Sequence, residues 1–132
     1  MTVACRFPGD FMASSVTRLA CTGTIVRTWS SGRAAIVEIE MDVAGAGRLT
    51  ITMSHQWPGM VTALFADLAT ACGEADLATA LARGVTLSPS HIEEEIDPLL
   101  RGKRVLVKLV RKVSKNAPEK GYVAASFAAE PR

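Results

Sequence analysis

Two consecutive stretches, residues 35–43 and 48–57, alternate apolar and polar side chains, and that alternation constrains the fold more than any other feature. In the first, Val37, Ile39, Met41 and Val43 oppose Glu38, Glu40 and Asp42. In the second, Leu49, Ile51 and Met53 oppose Thr50, Thr52 and Ser54. A period of two sends successive side chains to opposite faces, so each stretch is a half-buried strand with one wet face. The link Ala44-Gly45-Ala46-Gly47 carries the glycines that a hairpin connection needs, which makes the two an antiparallel pair. An earlier stretch, 17–29, is rich in Thr, Ile and Val and predicts a further strand. Gly23 at its middle is expected to mark a bend or bulge.

After Pro58-Gly59 the period changes. Val61, Leu64, Phe65, Leu68 and Cys72 recur at helical spacing, and Gly73 ends the pattern. A short Ala/Leu segment at 76–83 stops at Gly84. Then Ser88-Pro89-Ser90 supplies a cap and a first-turn proline for another helix, whose acids Glu93, Glu94 and Glu95 suit a helix N-terminus better than a metal site. The last third, Arg104 to Val113, contains four valines within nine residues. That density favours a strand over a basic amphipathic helix, because β-branched side chains lose rotamers in helices. Asn116-Ala117-Pro118-Glu119-Lys120-Gly121 reads as a turn, and 122–127 as the returning strand.

Charge is unevenly placed. Residues 101–120 hold eight Lys or Arg against Glu119, a net of +7, whereas the rest of the chain carries a net of −5. A basic segment on an otherwise acidic protein suits a polyanionic partner. The three cysteines are odd in number, lack C-x-x-C spacing and fit reduced thiols in a cytoplasmic protein. His55 and His91 stand far apart without Cys partners, so no metal is expected, nor any cofactor. No apolar run is long enough to span a bilayer, and the first fifteen residues are broken by Arg6, Pro8 and Asp10, which excludes a secretory signal. No G-x-S-x-G, P-loop or H-E-x-x-H arrangement organises an active site, so the chain is not expected to be an enzyme. His55 shares a strand face with Leu49, Ile51 and Met53, which suits a partly buried structural histidine.

Three strands, a helical connection and two strands form the order of an OB-fold, a mostly β, five-stranded Greek-key barrel. The expectation is one OB-like domain over 1–132, with an N-terminal arm at 1–15, a helical insertion between strands three and four at 58–100, and a basic β-hairpin at 101–128. Asp97-Pro98-Leu99-Leu100-Arg101-Gly102-Lys103-Arg104-Val105-Leu106-Val107, followed by Gly121-Tyr122-Val123, resembles the small phage-encoded single-stranded DNA-binding proteins of this fold. In those proteins a leucine, a glycine-lysine and alternating valines lead into strand four, and a glycine-aromatic pair leads into strand five. The resemblance implies sequence-tolerant single-stranded DNA binding in replication or recombination, in the host cytoplasm if phage-encoded.

In such a barrel the loops between strands one and two and between strands four and five flank the binding face. Here they are Thr28-Trp29-Ser30-Ser31-Gly32-Arg33 and the 114–120 turn. Single-strand binding needs cations for phosphate and flat rings for bases. The expected nucleic-acid contacts are therefore Arg27, Trp29, Arg33, Lys103, Arg104, Lys108, Lys112, Lys115, Lys120 and Tyr122, with Phe127 and Trp57 as further rings. The partner is single-stranded DNA, with RNA and homo-oligomers as further options. The alternative is a protein-interaction module of the same fold that docks an acidic partner. Glu38 and Glu40 oppose the nucleic-acid reading, since strand two points them onto the usual binding face.

Overall fold

The computed structural model describes residues 4–6, 18–42, 48–84, 87–112 and 122–130. Six strands, β1 (Ala4–Arg6), β2 (Arg18–Ser30), β3 (Ala34–Met41), β4 (Arg48–Ser54), β5 (Arg104–Lys112) and β6 (Tyr122–Ala129), form one antiparallel sheet. Their order is β1-β4-β3-β2-β5-β6. The alternation at 34–54 works as the sequence predicts. Val37 lies opposite Ile51 and Ile39 opposite Leu49, all four fully buried. The hairpin link at 44–47 and the turn at 116–121 lie outside the described residues.

The helices cover the face that carries these side chains. Helix α1 (Pro58–Ala71) buries Val61, Leu64, Phe65 and Leu68, and α2 (Ala75–Ala82) adds Leu81. Gly73 (φ +77°) ends α1: its N–H donates to the Thr70 carbonyl and that of Glu74 to the Ala69 carbonyl, a left-handed cap that suits glycine. The third helix, α3 (89–100), runs through a π-turn at Ile92–Ile96 before its final turn, Asp97–Leu100. Ser88 caps it by accepting the His91 N–H at 3.2 Å. The π-turn directs Ile92, Ile96 and Leu100 into the core.

The five-stranded OB barrel is not what forms. A barrel requires the two outermost strands of the sheet to pair with each other. Here the outer side of β4 is taken by β1, within the stretch read as an arm, and no ladder joins either of these strands to β6 among the described residues. Helix α1 packs on β6 and also reaches β4 and β5. Among the described residues the sheet is open, with six strands.

Gly23 also departs from expectation. The irregularity in β2 falls between Ile25 and Arg27, not at the glycine. A Cβ on Gly23 would stand 2.7 Å from Ile39 Cγ2 and 2.8 Å from the Glu40 carbonyl oxygen, so close backbone approach excludes a side chain there. Past the bulge β2 changes neighbours. Its ladder with β5 ends at the pair Thr24 and Arg104, after which α3 takes over. Buried Asp97 accepts the Thr28 N–H at 2.7 Å, replacing the lost ladder partner, and its other oxygen accepts from Arg101 Nε at 2.9 Å.

Candidate functional site

The wet face of the sheet can be built from register. Across β3, β2, β5 and β6 it presents Glu38, Glu40, Arg27, Thr24, Thr22, Ala20, Arg104, Leu106, Lys108, Val110, Ser126 and Ala128. The run of cations that opens the basic segment is consumed within it. Arg104 Nη2 binds Asp42 Oδ2 directly, and Arg104 Nε donates to Glu130 Oε2 at 3.0 Å. Thr22 Oγ1 donates to the same Asp42 carboxylate at 2.8 Å. The Arg104 hydrogen bond is the main cause, and that of Thr22 the next, that holds Asp42 below the usual carboxylate range. The two carboxylates likewise push Arg104 further up. Beside it, Lys103 faces Glu74 at 3.5 Å and Arg101 faces Asp97 at 2.7 Å. None of these three cations is uncompensated.

The second expected wall does not join the first. Trp29 lies within β2 rather than on a loop, half-buried, with the Arg27 guanidinium 4.5 Å from its ring centroid. One face of the ring is thus occupied, and its Nε1 is buried without a hydrogen-bond partner among the described residues. Arg27 stands opposite Glu38 in register, and Glu38 also meets Arg48 at 3.6 Å. Arg33 is exposed at the β2–β3 turn, on a shallow depression of 590 Å³ with Gly32, Ser54, His55 and Gln56. His55 Nε2 lies 2.8 Å from Ser30 Oγ, which accepts the Gly32 N–H at 3.2 Å. That pair fastens the β2–β3 turn to the end of β4, the structural role expected of His55. Arg27 lies seven positions along β2 from Ala20, which faces Lys108, roughly 23 Å of strand at ~3.3 Å per residue. The Arg104 ion cluster lies between. The expected groove is two separate places divided by a neutralised centre.

What remains is the far end of β5. Lys108 is exposed between Ala20 and Ser126, both small and exposed, and it makes no ion pair among the described residues. The register partners of residues 108–112 in β6 are Ser126, Ala125, Ala124, Val123 and Tyr122, none of them acidic. On the β2 side Val110 stands opposite Arg18, a cation that its sequence position does not link to the basic segment. Lys112 and Tyr122 share a register position; Lys115 and Lys120 lie outside the described residues. Phe127 packs against the core, whereas Trp57 is 57% exposed at the start of α1.

No group of His, Cys, Asp and Glu able to hold a metal occurs among the described residues, and no described helix is long and apolar enough to cross a membrane. Burial pushes the Cys72 thiol up to about 11. Comparisons with protein-family models, characterised proteins and solved structures found no match to this chain. With the sheet open and no relative found, the assignment to the phage OB-type single-strand binders does not hold, and the replication and recombination roles it implied go with it.

Proposed function

We propose that this chain is a non-enzymatic binding protein that takes single-stranded nucleic acid at the basic end of its open sheet. One observation carries the reading: β5 is divided at Arg104. Up to that point each cation has a carboxylate partner. Beyond it, Lys108, Arg111, Lys112, Lys115 and Lys120 are set against Glu119 alone in sequence, and the described register partners of Lys108, Arg111 and Lys112 are not acidic. Cations without acidic neighbours in register, on strands rich in alanine, serine and threonine, suit a phosphate backbone. Tyr122, in register with Lys112, is an aromatic residue at the same end. The acidic strand β3 lies on the other side of the ion cluster, which removes the objection raised by Glu38 and Glu40.

Fluorescence anisotropy with labelled oligo(dT), a duplex of equal length and single-stranded RNA tests this. Oligo(dT) is expected to bind at low salt, more tightly than duplex, and Lys108→Glu to weaken it at least tenfold. Absence of oligo(dT) binding at low salt would sink the nucleic-acid reading and favour an acidic protein partner at the same surface.

A further inference from the structure

The outermost strand β6 has one edge that no described strand pairs. Its ladder with β5 uses one edge over eight register pairs, and no described backbone group from another element bonds to the other edge. Natural sheets blunt such edges with short strands, lysines, prolines or bulges. The opposite margin follows that rule: β1 has three residues and ends in Arg6. β6 does not. Its sequence YVAASFAA has no charge, no proline and no glycine over eight residues. The first acid after it, Glu130, is drawn back onto Arg104 and so does not guard the edge.

We propose that two copies of this chain pair antiparallel along β6, about a twofold axis, into one continuous sheet. A strand paired with itself in this way is self-complementary: each outward N–H meets an outward carbonyl of the other copy. Four of the eight residues are alanine and one is serine, and Ala124, Ala125 and Ser126 lie together at the middle of the strand, where two copies approach to the ~4.8 Å spacing of neighbouring strands. A foreign peptide is a poorer occupant. Peptide-binding edges choose their ligand through pockets for alternate side chains, and alanines beside the edge offer none. The pairing would set Lys108 of each copy on one side of the same extended sheet. The proposal goes beyond the binding reading and does not rest on it.

Sedimentation equilibrium of the full chain decides it. The wild type is expected at twice the 14.0 kDa chain mass at high micromolar concentration. Ser126→Lys and Ser126→Glu, at an exposed position mid-strand, are each expected to sediment as monomers with unchanged circular dichroism, and their equimolar mixture to recover the dimer. Amide exchange on the wild type gives an answer without any variant: protection in β6 should rise with protein concentration. A monomeric wild type overturns the proposal. So does a dimer that both Ser126 variants retain, or β6 protection that is independent of concentration.

Discussion

Gly23 and Asp97 show how single residues set where β2 can go. Gly23 lets β2 pass within contact of Ile39 and the Glu40 backbone, at a point where the strand pairs on both sides. Because the atoms it would meet include backbone, Gly23→Ala is expected to cost about 1–3 kcal/mol. Urea denaturation should show that loss while oligonucleotide affinity stays unchanged, since Gly23 lies in register with buried Val105 and Met41, on the face of the sheet opposite to Lys108. Sequence marks the glycine as unusual but points to the wrong cause, because a bulge and a close approach leave the same trace in a single sequence. Asp97 is legible only as part of a helix end. Its acceptance of the Thr28 N–H and hydroxyl, 69 positions away, depends on β2 leaving β5, which no local pattern announces.

At the scale of elements, the alternating strands, α1 and the glycine that ends it are legible in the sequence, since each follows from local periodicity and capping. So are the faces of β5: Val105, Val107 and Leu109 are buried, and Arg104 and Lys108 are exposed. What the sequence does not disclose is that its cations have different fates. Asp42 follows β3 and Glu130 follows β6, and only the register of β3 on β2 and of β2 and β6 on β5 brings both to Arg104. This cluster predicts an acid limb in stability. Asp42 is held below its ordinary value of 3.8, so its contribution is fully present above that pH and is lost as pH falls through the lower folded value. Denaturation midpoints measured from pH 5 downward should decline in the wild type, and Asp42→Asn should flatten part of that decline.

For the whole molecule, the element order suggests a barrel, and the barrel fails at one junction. Closure is a pairing between distant strands, and β1, a three-residue strand in a stretch with no alternating pattern, takes the edge that closure would use. The candidate site fails in a related way: a closed barrel would bring Trp29 and Arg33 opposite the basic hairpin, whereas the open sheet keeps them at the far end of β2. What survives is a division along the chain between Arg101, Lys103 and Arg104, which are ion-paired, and Lys108, which meets no carboxylate among the described residues. The slope of log affinity for oligo(dT) against log salt tests that division most directly. Each cation that stops neutralising a phosphate should lower the slope by about 0.7. Replacing Lys108 and Lys112 by Gln should therefore reduce it by roughly 1.4, whereas Lys103→Gln, whose side chain is occupied by Glu74, should leave it unchanged. An equal reduction from Lys103→Gln, or none from the double variant, would contradict the account.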